Sequence, residues 1–190
     1  TRMLDRIDGI NADIAAVDTQ IEAHLAPFAV AARLDEIPGI GPVAAAIIIA
    51  EVGVDMSRFP TAGHLCSWAK FSPGISSSAG KTKGNGSTGH GNRYLARVLG
   101  EAAVVAGRTD TFLGERYRRI AKRRGKKRAI VAVGRSILVI VWHLLADPNA
   151  RYHDLGSDYH TNRIDTNRRT RQLVHQLQAL GHHVTLQPIP

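Results

Sequence analysis

The chain has a single cysteine, Cys66, so it can form neither an internal disulfide nor a multi-cysteine zinc site. Long apolar runs are also missing. The two longest, Val43 to Ala50 and Ile137 to Ala146, stop well short of the ~20 residues that span a bilayer, and nothing resembles a signal peptide. These absences predict a soluble protein of a reducing cytoplasm with no membrane partner. Carboxylates are scarce where hydrolysis with metal ions would need them. Past residue 55 the chain has seven acids, all scattered, whereas a two-metal phosphodiester site clusters them around cations about 4 Å apart. His182 and His183 are adjacent but lack carboxylate or cysteine partners, so no metal ligand set is expected within this chain. There is no internal repeat.

What is present is an uneven distribution of charge. Residues 1 to 55 hold nine acids against Arg2, Arg6 and Arg33, a balance of −6, and the remainder holds 22 bases against seven acids, a balance of +15. Lysines and arginines that neutralise phosphates release condensed counterions, so the second part suits a polyanionic partner, nucleic acid above all. At 190 residues the chain has room for one compact domain with appendages. It starts at Thr1 inside a helical repeat, which reads as a piece of something longer.

That repeat places Ile7, Ile14, Ile21 and Phe28 seven apart, with Ile10 and Val17 three after the first two, among acids. Such a heptad seam predicts a helix over residues 1 to 30 that either pairs as a coiled coil or packs on its own domain, ended near Pro27. Next, Ile37-Pro38-Gly39-Ile40-Gly41-Pro42 leads into an Ala/Ile helix. Gly39 and Gly41 permit a tight turn and close approach of helix-start amides to an anion, as in a helix-hairpin-helix, or serve packing alone. After Pro60 comes a short helix with Leu65 and Trp68 on its inner face and Cys66 as a buried small hydrophobe.

Between Ser72 and Gly91 the composition changes to glycine, serine, threonine, lysine and asparagine, with six glycines. Long polar loops between apolar helices tend to carry function, although a linker would have similar composition. The following helix has an apolar side of Leu95, Val98, Leu99, Ala102 and Val105, with Arg93 and Arg97 four apart on one face. Residues 116 to 128 contain nine bases, Arg119 and Arg123 among them, and no acid. Crowding like charges so densely is costly without an anion, so a phosphate-facing stripe is expected. Ala129 to Leu145, with Trp142, reads as a buried closing helix stopped by Asp147-Pro148. The tail, 148 to 190, is basic, with a helical pattern at Leu173, Val174, Leu177 and Leu180.

With no acid cluster in the basic part, phosphoryl chemistry in this chain would need a covalent nucleophile. The polar loop offers Ser76, Ser77 and Ser78, with Lys81, Lys83 and free backbone amides nearby to hold transition-state charge.

Read in order, Ile37-Pro38-Gly39-Ile40-Gly41-Pro42, Arg58-Phe59-Pro60, Pro73, Ser78-Ala79-Gly80-Lys81 and Gly91-Asn92-Arg93-Tyr94-Leu95 resemble the C-terminal transposase domain of the bridge-RNA-guided insertion-sequence family one-hundred-ten (116/902 group). The resemblance runs from about Leu34 to Leu145. It implies a serine transposase whose nucleophile falls on Ser78, with Ser77 as second choice. It also implies a separate N-terminal RNase-H-like domain holding divalent metal (Mg), a bridge RNA selecting both DNA partners, and self-association through the coil. Expected nucleic-acid contacts are Gly39, Gly41, Lys81, Lys83, Asn92, Arg93, Arg97, Arg119 and Arg123. The chain departs from the family pattern at Lys70-Phe71-Ser72, at Gly89-His90, where a basic pair is common, and at Ala96, where arginine is frequent. The alternative is a non-catalytic nucleic-acid-binding and oligomerising module.

The expected architecture is mainly α. A coiled-coil helix (1–30) leads into a bundle of about five helices containing the hairpin (31–147), followed by a short basic tail with room for β structure (148–190).

Overall fold

The computed structural model of the protein describes residues 2–74, 76–78, 81–83, 88–162 and 166–187, and of its two short strands it describes the backbone. In chain order the elements are α1 (Arg2–Leu25), α2 (Val30–Asp35), α3 (Pro42–Val52), a 3-10 turn (Met56–Arg58), α4 (Ala62–Trp68), β1 (Ser76–Ser78), β2 (Lys81–Lys83), α5 (Arg93–Ala106), α6 (Phe112–Arg124), α7 (Lys126–Ala146), α8 (Tyr159–Asn162) and α9 (Thr166–Ala179). The protein is mainly helical, as the hydrophobic periodicity predicts.

The bundle is built around α7. Ala129, Val133, Ile137, Val141 and Leu144 recur at steps of three and four and are buried, with Gly134 and Leu138 beside them. This spacing makes a continuous apolar stripe, and α2, α4, α5 and α6 all pack on α7. At 21 residues α7 is long and apolar enough, by length and composition, to cross a membrane. The ten-residue run Ile137 to Ala146 does not suggest this, because the helix adds Ala129 to Ser136 before it. In the structure the stripe is the inner face of the bundle.

Helix starts follow from local chemistry. Thr61 Oγ1 accepts from His64 N at 3.4 Å at the start of α4, and Thr111 Oγ1 accepts from Gly114 N at 3.2 Å at the start of α6, each satisfying an amide that the helix leaves orphaned. The inner face of α5 is Leu95, Val98, Leu99, Ala102, Ala103 and Ala106, all buried, while Val105 is exposed at a groove rim. On α4, Leu65 is buried but Trp68 is 43% exposed, which corrects its expected place in the core. The helix has seven residues, and Leu65, Cys66 and the following Ala69 take its core side. Trp68 lies instead against the Phe59 ring, centroids 5.4 Å apart, and Trp142 Nε1 donates to the Phe59 carbonyl at 2.8 Å.

The bundle leaves α1 aside. None of its residues is buried, and Ile7, Ile10, Ile14, Val17 and Ile21 are 41% to 54% exposed. The seam therefore does not pack on its own domain. At the other end the chain folds back as a strap. Arg33 Nη1 donates to the carbonyls of Asp147 (2.8 Å) and Ala150 (3.0 Å), Glu36 Oε2 accepts from Tyr152 N (3.2 Å), and Asp154 Oδ1 accepts from Phe112 N (3.1 Å) at the start of α6. The described residues of the tail hold α8 and α9 and no strand, so the room for β structure there is not used among them. Side chains of the bundle satisfy the strap's polar groups, and the leucines beyond it step by three and four as a helix requires.

Gly39 has φ +91°, and a Cβ there would lie 2.3 Å from the Ala102 carbonyl oxygen of α5. Gly41 has open space around it and φ −116°. Gly39→Ala should therefore destabilise the fold by about 3 kcal/mol in urea unfolding, combining a left-handed backbone with overpacking, while Gly41→Ala should change it by less than about 1 kcal/mol. Equal effects of the two substitutions would contradict this account of the turn.

Candidate functional site

The polar loop leaves the bundle through a pinned neck. On the entering side Lys70 takes φ +60°, uncommon for a residue with a side chain, and Phe71 is buried with its ring against Gly134 of α7, where a Cβ would meet Phe71 Cε1 at 2.5 Å. Arg135 Nη1 donates to Ser72 Oγ. On the returning side a Cβ at Gly91 would lie 2.6 Å from the Ala69 carbonyl oxygen, so the two arms touch backbone to backbone only because residue 91 is glycine. Asn92 closes the neck. Its Oδ1 accepts from Tyr94 N (2.9 Å) and Leu95 N (3.0 Å) to cap α5, and its Nδ2 donates to Glu51 Oε2 of α3.

Beyond the neck, β1 and β2 pair antiparallel, with Ser78 opposite Lys81, Ser77 opposite Thr82 and Ser76 opposite Lys83. The sequence predicts this stretch as loop; the structure builds a short hairpin into it. The side chains of Ser76, Ser77, Ser78, Lys81 and Lys83 lie outside the described residues.

The remaining predicted contacts fall into two groups. Gly39, Gly41 and Arg97 come together around a groove of about 490 Å³ between the α2–α3 turn and α5, floored by apolar residues such as Ile47 and Val98. Arg97 Nε sits 2.9 Å from Glu101 Oε1, both side chains well exposed, and this hydrogen bond and charge hold the Arg97 pKa above its usual value. An exposed i,i+4 pair contributes little, so a phosphate could replace Glu101 at small cost. Arg93 folds over its neighbour, with Nη2 donating to Tyr94 Oη at 2.7 Å and its guanidinium 4.8 Å from the ring centroid.

Arg119 and Arg123 line a second, shallow groove on α6 with Arg118 and Lys122. Arg119 Nη2 lies 3.1 Å from His160 Nε2 of the strap. Arg116, Arg119 and Arg123, at steps of three and four, follow one side of α6. The Nε of Arg116 is buried and, among the described residues, has no hydrogen-bond partner; burial, then the nearby Arg119, lowers the Arg116 pKa. Not every base of the stripe faces outward for a ligand. Arg118 donates to the carbonyls of Gly107 (3.3 Å) and Thr109 (2.8 Å) and pairs with Asp110 and Glu115, fastening the end of α5 to α6.

Cys66 is buried, and desolvation raises its thiol pKa, so it stays an unreactive core group. The sequence reading did not single out Glu51, Arg135 or Asp154. Each makes a contact across 40 or more residues of chain separation, which residue order does not reveal. The capping role of Asn92 did have one, an asparagine directly before an apolar periodic run.

Residues 31–118 match the profile described as the transposase IS116/IS110/IS902 family. The chain is similar to an uncharacterized 43.6 kDa protein of insertion element IS110 from Streptomyces coelicolor, 31% identical over 134 residues, covering 70% of this chain and 33% of that protein. It is also similar to a probable family 20 transposase from Pseudomonas aeruginosa, 30% identical over 147 residues, covering 75% of this chain and 43% of that protein. The chain thus spans between a third and a half of the length of these relatives.

Within the matched stretch, Asn92 is held on both sides by protein. Asn92→Ala should cost about 1–2 kcal/mol in thermal or urea unfolding through loss of the cap, and Asn92→Ser, which keeps a capping oxygen, should recover most of it. A serine variant as stable as the parent yet weakened in nucleic-acid binding would make Asn92 a direct contact rather than a brace.

Proposed function

Residues 31–118 of this chain belong to the transposase IS116/IS110/IS902 family, and from that premise we propose that the chain is the strand-cleaving and strand-joining part of a DNA transposase, with Ser78 as nucleophile. The supporting observation is the register of the neck-borne hairpin. Residues opposed across an antiparallel pair lie about 5 Å apart; Ser78 is opposed by Lys81 and Ser76 by Lys83, whereas Ser77 is opposed by Thr82, and between the two lysine-opposed serines the family resemblance favours Ser78. A lysine beside the serine supplies positive charge where phosphate charge develops.

In the proposed step the Ser78 oxygen bonds to phosphorus and the bond to the leaving strand's oxygen breaks. The serine proton passes to solvent or a base, the leaving hydroxyl takes one up, and the second strand's hydroxyl later reverses the exchange. Rigid attachment matters because the nucleophile must meet phosphorus in line. Phe71 against Gly134, Arg135 on Ser72 and Asn92 between α5 and Glu51 supply that attachment.

DNA is the proposed substrate, held by backbone contacts from the α2–α3 turn, read as a helix-hairpin-helix, and by the Arg116, Arg119 and Arg123 side of α6. The partly buried Arg116 beside Arg119 favours an anion there, since two neighbouring cations repel and a phosphate between them would offset both charges. The further parts proposed for the longer protein are an RNase-H-like domain holding Mg and a bridge RNA that selects the DNA partners. The metal is proposed to be held by that domain, as the family resemblance implies. The seam of α1 is proposed to join chains.

A binding and assembly module without chemistry is the second reading, favoured by the exposed basic groove of α6 and the exposed seam of α1. Covalent capture separates the two. In the full-length protein with RNA, Mg and both DNA partners, Ser78→Ala should abolish the protein–DNA adduct on a denaturing gel while changing DNA affinity by less than about 1 kcal/mol. Ser76→Ala should retain the adduct. Loss in Ser77→Ala with persistence in Ser78→Ala would move the nucleophile by one residue, and persistence in all three would leave the module reading.

For binding itself, affinity should fall steeply with salt. Arg119→Ala/Arg123→Ala should lower the slope of log affinity against log salt by about two, one per phosphate contact, similarly for unrelated duplex sequences. A slope unchanged in the double variant would remove α6 from the interface.

A further inference from the structure

α1 and α9 are two helices whose apolar positions the bundle leaves open. On α1, Ile7, Ile10, Ile14, Val17 and Ile21 are exposed, and on α9 Leu173 and Leu177 are 43% and 41% exposed, with Leu180 just beyond it at 75%. Both sets step by three and four, so each forms a narrow seam of the kind that mates with another helix. A helix of 14 residues is marginal in water by itself, and α9 has no buried apolar face to hold it.

The two helices carry opposite charge. Arg2–Leu25 holds Asp5, Asp8, Asp13, Asp18 and Glu22 against two arginines, a net of −3, and Thr166–Ala179 holds Arg168, Arg169 and Arg171 with no acid, a net of +3. Two parallel copies of α1 in register would place Asp13 of one against Asp18 of the other, five residues on, at the edges of the seam, where like charges repel. The same acids beside α9 face Arg169, which flanks the seam of that helix. We infer that α9 of a second copy of this chain lies along α1. The exchange is reciprocal about a two-fold axis, so each dimer contains two such acidic–basic helix pairs about 21 Å long.

This inference rests on the reading that α1 joins chains, and it names what covers the seam. The test is sedimentation of the whole chain across a concentration series at low and moderate salt. Arg168→Glu/Arg169→Glu/Arg171→Glu should weaken self-association about tenfold or more, as should Asp13→Arg/Asp18→Arg/Glu22→Arg, because each turns several attractions into repulsions. The combined variant should regain the parent's association, which also shows that the changed surfaces have not unfolded the chain. If reversal on α9 leaves association intact while a chain starting at Ala31 is monomeric, α1 mates with α1, and this inference falls though assembly through α1 stands. An intact chain that stays monomeric overturns both. Unchanged association with weakened duplex binding on reversing α9 would make α9 a nucleic-acid contact and overturn the pairing.

Discussion

The apolar stripe of α7, from Ala129 to Leu144, is the constraint on which the other elements depend. Four helices are placed by burying their own stripes against it, and the polar neck follows from the same surface. Phe71 is buried against Gly134 on that stripe, and one residue on, Arg135 reaches Ser72. Close packing transmits such placement because interiors have little free space. The loop that carries Ser76, Ser77 and Ser78 is thus tied, through Phe71 and Ser72, to the helix on which the bundle is built.

Polar contacts do the complementary work of orienting what hydrophobic burial only gathers. Asn92 spends both ends of its amide within the protein, on α5 and on Glu51, and Asp154 links the strap to the start of α6 while accepting from Tyr152 Oη at 3.0 Å. Burial, then that carboxylate, pushes the Tyr152 phenol well above its ordinary range, so it remains a proton donor through the physiological range. Individually such bonds contribute about 1 kcal/mol. Their value lies in fixing the register of α6, where Arg118 fastens the end of α5 and Arg119 reaches His160 of the strap, while Arg123 lines the groove beside them.

The charge asymmetry therefore resolves into three places rather than two halves. The acids gather on an exposed helix, one set of bases lines a groove on the bundle, and another sits on an exposed helix in the tail. Screening acts over about 10 Å at ordinary ionic strength, so these patches act locally. A net charge of +9 describes none of them, and the opposite signs on α1 and α9 matter more than the sum.

Elements with a local physical cause were legible in the sequence. Period-3.6 apolar patterns marked α5, α7 and α9, Pro27 marked the end of α1, glycine-rich composition marked the loop, and the ordered motifs from Ile37 to Leu95 carried the family resemblance. What required long-range contact was not legible. Trp68 has the composition of a core residue, but Leu65 and Cys66 occupy the inner side of its short helix. Gly39 looked suited to a phosphate, yet the atom that forbids a side chain there is the carbonyl of Ala102, 63 residues away. The serine–lysine register needs two strands to meet, which residue order alone does not specify. Sequence by itself determined the helices that carry a clear apolar period and where charge collects, because both depend on near neighbours along the chain. Tertiary structure decided which arginines are committed to the fold, where the loop is pinned and which seams remain uncovered, because each depends on what fills the space opposite.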